Sequence, residues 1–292
     1  MKEILIESFS LVEINEKKRE RFNSNNHWVD DDSEYVKPTD YEEICEKCDT
    51  SYWIDKFKST YSVINIDLSD VNWLKSAATA YRITERMDSF KEDLKDFLEK
   101  YEPLTKRFFD RQEKYFVKAN HFSLKTGVHG VGPYSDLKKI MESIITSDDK
   151  HTPVPPTATK LKIYLMPWEN VSLKREFRVF VYDNQITGVS QQDIYSTHLL
   201  QEGVSQEVLE EQYKKWVHVI YQYFHNTIKK KITHISTFSM DIAILDNGKP
   251  YFIEINPFGK LYSAGSALFH WVIDEHLLLN QNDVIYFRYT KN

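Results

Sequence analysis

Apolar and polar residues alternate along Ser62-Val63-Ile64-Asn65-Ile66-Asp67-Leu68, a period of two that predicts a β-strand. Residues 114–118, 161–166, 176–182, 186–190, 239–245 and 250–255 read as further strands. The turns Asp183-Asn184-Gln185 and Asp246-Asn247-Gly248 make hairpins of the last four. Elsewhere the period is helical. Phe90, Leu94, Phe97, Leu98 and Tyr101 recur at spacings of three and four, predicting helix from 69 to about 112, capped by Ser69 or Asp70 and bounded by Pro103. Helices are also expected at 40–48, 134–147, 205–229 and 264–277, with a proline-rich break at 151–156. Residues 1–30 carry a short apolar run, a charged run and Asn23-Ser24-Asn25-Asn26, and read as an N-terminal appendage ending in a turn. Hairpins mixed with packing helices make the class α+β.

Composition fits a folded chain: 292 residues, 41% apolar, 28% charged and 14% aromatic. A net charge of −6 weakens any reading in which nucleic acid is held by bulk charge. No apolar run is long enough to span a bilayer, so no membrane partner is expected. The first residues carry acids, unlike a signal peptide, and the two cysteines suit a reducing compartment, so a cytoplasmic location is expected. Cys45-x-x-Cys48 invites a metal or redox reading but has no second pair, and is taken as two ordinary helix cysteines. His121 and His129 are read as structural or solvent-facing. Lys229-Lys230-Lys231 reads as a solvated helix end.

Three clusters carry chemistry. Glycine is scarce, eight in all, yet Gly127, Gly130 and Gly132 fall within six residues, behind Lys118 and beside Lys125. Free backbone and two ammonium groups suit a polyphosphate, although the spacing is not that of a Walker A loop; a plain surface loop is the alternative. In Glu176-Phe177-Arg178, the carboxylate and guanidinium share one strand face, to hold each other or to meet a phosphate. Asp241, Glu254 and Asn256 come from paired strands, with Tyr251, Ile253 and Ile255 expected toward the core. Their oxygens suit a hard cation such as Mg²⁺. Together these are the parts for handling Mg-ATP by charge neutralisation and positioning.

The order strand-lysine, glycine-rich loop, E-F-R strand, Asp strand, E-x-N strand resembles the ATP-grasp fold, two α+β subdomains clasping a nucleotide. Within it, Trp53-Ile-Asp-Lys-Phe57-Lys-Ser-Thr60, Ser123-Leu-Lys125, Glu176-Phe-Arg-Val-Phe-Val181, Gly188-Val-Ser-Gln-Gln-Asp193, Glu254-Ile-Asn-Pro-Phe258 and Leu268-Phe-His-Trp271 resemble the cell-division-cycle protein 123 family. That family assists assembly of translation initiation factor 2. The resemblance implies an N-terminal acceptor or partner region at 1–112, a small subdomain at 113–168 and a large, metal-bearing one at 169–292. It also implies phosphate contacts from Lys118, Lys125 and the three glycines. Tyr164, Leu165, Met166 and Trp168 would form a hinge edging adenine, with Glu169 or Glu176 at the ribose and Asp241, Glu254 and Asn256 on Mg²⁺.

The loop reads S-L-K-T where the family usually has S-P-K-D, and the metal motif E-I-N where it usually has D-x-N. The E-x-N form, which resembles that of catalytically active ATP-grasp ligases, and the end of the chain soon after Trp271 favour an ATP-dependent ligase. In that reading Lys125 and Arg178 stabilise charge in transfer to a carboxylate or an RNA end, yielding ADP or AMP. The alternative is a non-catalytic, ATP-bound assembly chaperone for a protein such as the gamma subunit of translation initiation factor 2.

Overall fold

In the computed structural model of the chain, the described residues are 2–18, 20–23, 38–109, 113–120, 122–149, 151–197, 203–262 and 264–292. His121 and most of the Asn23–Asn26 turn therefore lie outside them. The strands are β1 (Glu3–Ser10), β2 (Ser62–Ile66), β3 (Tyr115–Ala119), β4 (Phe122–Ser123), β5 (Leu161–Pro167), β6 (Glu176–Tyr182), β7 (Gln185–Gln191), β8 (Phe238–Ile244), β9 (Pro250–Asn256) and β10 (Val284–Lys291). The helices are α1 (Leu11–Glu16), α2 (Tyr41–Lys47), α3 (Thr50–Phe57), α4 (Leu68–Thr84), α5 (Lys91–Phe109), α6 (Leu137–Thr146), α7 (Gln206–Tyr223), α8 (Lys229–Lys231) and α9 (Glu275–Leu278). The chain divides into two compact units, one formed by residues 1–48 and 170–292, the other by 49–169.

The first unit is a six-stranded sheet in the order β1-β10-β7-β6-β8-β9. Both faces are covered. Tyr213 and Trp216 of α7 pack on Phe177, Phe287 and Tyr289, while Phe258, Phe269 and Trp271 pack on Phe180. Every residue of β8 is consequently buried, the polar Ser239 and Asp241 included. Asp183 and Asn184 both have positive φ, as a two-residue hairpin of matching twist requires. The N-terminal run, expected as an appendage, is β1 and pairs in parallel with β10 along its whole length. No strand was expected at β10, although Val284-Ile285-Tyr286-Phe287-Arg288-Tyr289-Thr290 has the β-branched and aromatic make-up of one.

The helix expected at 264–277 is reduced to the short α9. Left-handed Ala267 breaks it, and side chains claim the main-chain groups a helix would use. Ser266 Oγ donates to the Phe269 carbonyl, Trp271 Nε1 donates to that of Ala264, and Asp274 accepts from the His270 amide. The helix expected over 205–229 passes through a π-helical stretch, Phe224–Ile228, before α8.

The second unit is a four-stranded antiparallel sheet, β2-β5-β3-β4, with a core shared by α4, α5 and α6. The long helix expected from 69 is two helices, with left-handed Glu85 ending the first and Asp67 at its N-cap. Pro103, expected as a boundary, lies inside α5. Phe97, Tyr101 and Thr105 are buried on either side of it, and that packing offsets the roughly 3 kcal/mol cost of an interior proline.

Candidate functional site

Strand register assembles the first cluster. The antiparallel β6–β8 ladder sets Arg178 opposite Asp241, and the β8–β9 ladder sets Asp241 opposite Glu254. Three charged residues thus lie side by side across three strands, at 7%, 1% and 6% exposure respectively. Arg178 grips Asp241 with two hydrogen bonds, Nε to Oδ1 at 2.9 Å and Nη2 to Oδ2 at 2.8 Å. Its Nη1 donates to the Gly265 carbonyl at 2.6 Å. Burial opposes the guanidinium charge. Asp241, then Glu254 and Glu176, outweigh it, and the Arg178 pKa is raised. Asn256 stands beside the group, its Nδ2 3.5 Å from Glu254 Oε1.

A bulge at Ile253 interrupts β9 here, because Asp241 pairs with Glu254 and Ile242 with Phe252. The expected alternation is corrected accordingly. Phe252 and Ile255 are buried, whereas Tyr251 and Ile253 are only half-buried. Two carboxylates and an amide oxygen are chemically fit for Mg²⁺. Both oxygens of Asp241 already accept from Arg178, so a cation would share that carboxylate. Among the described residues, no three His, Cys, Asp or Glu side chains converge as a ready metal cage.

In the second unit Lys118 is almost fully buried on β3, opposite Ser123 of β4 and Tyr164 of β5. Lys125 is exposed just beyond β4. The turn between β3 and β4 is braced by Asn120, at φ 33°, whose Nδ2 donates to Asp49 at 3.1 Å and whose Oδ1 accepts from the Lys162 amide at 3.0 Å. Asp49 also caps α3 through the amide and hydroxyl of Ser51. Burial and the Asp49 carboxylate push the Tyr164 hydroxyl up to about 12, against a hydrogen bond with Ser51. Asp49, Ser51 and Asn120 were not singled out from sequence, although Asp49-Thr50-Ser51 is a helix-start signature.

The glycine-rich loop is built for packing. A Cβ on Gly127 would come within 2.4 Å of the Ser143 carbonyl on α6. The Val128 amide donates to Thr146 Oγ1, that of His129 to Ser143 Oγ, and that of Gly130 to the Gly127 carbonyl. Tyr134 reaches from its hydroxyl to the Gly130 carbonyl and to Ser143. Gly130 and Gly132 have positive φ. Three of the loop's N–H groups are thus engaged inside the unit, and the lysines carry its positive charge.

In β5, Tyr164, Leu165 and Met166 are buried side chains. The β2 ladder ends at Ser62–Leu165, whereas β3 continues alongside as far as Tyr115–Pro167. Trp168 is half-buried, its amide donating to the Lys114 carbonyl, and Glu169 is exposed. Glu176 opens β6 in the first unit. A residue without a sequence-derived role also stands out. Burial lowers the Lys58 pKa to about 7, against the pull of Glu169. It lies in the Trp53 to Thr60 segment that carries part of the family resemblance.

Comparison with known proteins bears out the recognised likeness. Over 120 residues, 40% of this chain, it is 34% identical to the translation initiation factor eIF2 assembly protein of Candida albicans. Over 132 residues, 45% of the chain, it is 29% identical to the protein of the same name from Dictyostelium discoideum. Those matches span 31% and 30% of the relatives' own lengths. The solved structure of C-terminally truncated Cdc123 from Schizosaccharomyces pombe matches 85% of this chain and 97% of its own, with a TM-score of 0.54 and 17% identity. The chain therefore has that protein's α+β fold, as the ATP-grasp resemblance led us to expect. The curated relatives are named for eIF2 assembly and not for a ligation, which overturns the expectation of an ATP-dependent ligase. No described helix is long and apolar enough to cross a membrane. The profile of the family described as D123 matches residues 134–292. With more than half of its residues so matched, the chain belongs to the D123 family.

Proposed function

We propose that this chain binds Mg-ATP and serves as a nucleotide-bound assembly factor for a protein partner, a subunit of translation initiation factor 2. The gamma subunit is the one the family resemblance implies. The observation that carries the nucleotide reading is the row Arg178–Asp241–Glu254, with Asn256 beside it, inside the family-matched stretch. Asp241, Glu254 and Asn256 would hold Mg²⁺, which would neutralise phosphate charge. Arg178 would hold the Asp241 carboxylate aligned through its two hydrogen bonds. Lys118 and Lys125 would meet phosphates, with Gly127, Gly130 and Gly132 shaping the loop. The stretch Tyr164, Leu165, Met166 and Trp168 would edge adenine, most directly through the main chain of Met166 onward, where β2 no longer pairs. Glu169 or Glu176 would meet the ribose. The assembly role is supported by the names of the curated relatives.

Thermal melting with and without Mg-ATP tests the first half. Ligand at 100 times its Kd should stabilise by about 2.7 kcal/mol. Glu254→Gln and Asn256→Ala should each shrink that shift, read against the variant's own unliganded melt. A wild-type melt that Mg-ATP does not move would overturn the nucleotide reading. Co-purification with the isolated gamma subunit, with and without Mg-ATP, tests the second half, and failure to bind under both conditions would overturn it.

A further inference from the structure

The two cysteines occupy one turn. Cys45 lies in α2, and Cys48 is its C-cap, with φ −91° and ψ −3° and its amide donating to the Cys45 carbonyl at 3.1 Å. Residues three apart in a helix have Cα atoms about 5 Å apart, inside the roughly 4.4–6.8 Å window of a disulfide. Their Cβ atoms, about 5–6 Å apart, must close by about 1–2 Å. A cap residue, already outside the regular helix, can supply that movement. The thiols differ in access: Cys45 is half-buried and Cys48 is 5% exposed. The turn is held from outside α2 by His234 Nε2, 2.9 Å from the Lys47 carbonyl, and the next residue is Asp49, the cap of α3. Both thiols are reduced in the structure.

We propose that Cys45 and Cys48 form a redox-closable dithiol, with Cys45 the entry thiol and Cys48 the resolving one, and small disulfides such as glutathione disulfide as oxidant. The Cys45 thiol gives its proton to solvent, and the thiolate attacks one sulfur of glutathione disulfide. A mixed disulfide forms, and one glutathione thiolate leaves and is protonated. The Cys48 thiolate then attacks the Cys45 sulfur, closing the protein disulfide and expelling the second glutathione. Two protein thiols are oxidised and one glutathione disulfide is reduced to two thiols. Closure would clip the end of α2 immediately before the Asp49 cap. This inference is independent of nucleotide binding.

The folded full-length chain, equilibrated in glutathione buffers of increasing oxidising strength, trapped with N-ethylmaleimide and weighed intact, tests it. The expected product is a monomer lighter by two hydrogens that takes up neither alkylation. Cys48→Ser should stop as a glutathione adduct on Cys45, and Cys45→Ser should be modified at least tenfold more slowly. A wild type that stays fully alkylated, or that yields only mixed disulfides or linked dimers, overturns the proposal. Equal adduct formation in the two variants overturns the assignment of entry and resolving thiols.

Discussion

The acidic corner of the sheet and the glycine-rich loop look alike as sequence clusters and differ in kind as structures. In the corner, ladder register brings Arg178, Asp241 and Glu254 together although 63 residues separate the first two. The charges are buried, and each depends on the next. In the loop, the residues that drew attention are close in sequence, and their N–H groups serve the loop's own packing. Charged side chains in a strand covered on both faces have few reasons to be there except one another and a ligand. Glycines have many reasons, and a close helix is one of them.

Five measurements sharpen that contrast, beginning with the charged row. Asp241→Ala leaves the Arg178 guanidinium buried and unpaired and should cost about 3–5 kcal/mol in urea denaturation. Adding Arg178→Met should recover much of the loss. If the single variant is as stable as wild type, the corner is not a coupled unit. In the loop, Gly127→Ala forces a methyl into the α6 backbone and should cost about 1–3 kcal/mol. Gly130→Ala meets no atom within 4 Å and should cost only the left-handed backbone penalty of about 1–2 kcal/mol. A larger loss at Gly130 would reverse the packing account.

The remaining two concern pH. Burial opposes ionisation of Asp274, but Arg288 and Arg21 prevail and lower its pKa below the ordinary 3.8. Its contribution to stability is complete above about pH 4 and fades as pH falls through the depressed folded value. Asp274→Asn should flatten the acid limb of a stability–pH curve, and an unchanged limb would refute this. Lys58 should show the opposite sense. Its folded pKa, near 7, lies below the ordinary 10.5, so the unfolded chain binds more protons between them and stability rises with pH across that interval. Lys58→Met should remove that rise, seen as parallel melting curves at pH 7 and pH 10.

The hairpins of the first unit were legible because the β6–β7 turn carries aspartate and asparagine at positive φ, the β8–β9 turn carries Gly248 there, and the strands of both are largely apolar. The Glu254 and Asn256 pair was legible for a similar reason, since a two-residue spacing on a strand that ends in proline is a local signal. What escaped was set by distant partners. β1 read as an appendage because its ladder partner begins about 280 residues later. The segment from Ala264 to Asp274 read as helix because its apolar spacing fits one, and its carbonyls are instead claimed by Ser266 and Trp271 side chains. Pro103 read as a boundary because proline's local cost is visible in sequence and the packing that offsets it is not.

The pairing of β1 with β10 sets an order of events during synthesis. Residues 49–169 form a continuous stretch with its own core, so that unit can mature while the ribosome is still adding chain. The six-stranded sheet cannot. Its first strand must wait for residues 284–291, about 280 residues later, before its ladder exists. During that interval Ile4, Leu5 and Ile6 lack the strand beside which they will lie, a vulnerable apolar edge in a nascent chain. The sheet carrying Arg178, Asp241 and Glu254 therefore closes only after residues 49–169 are complete.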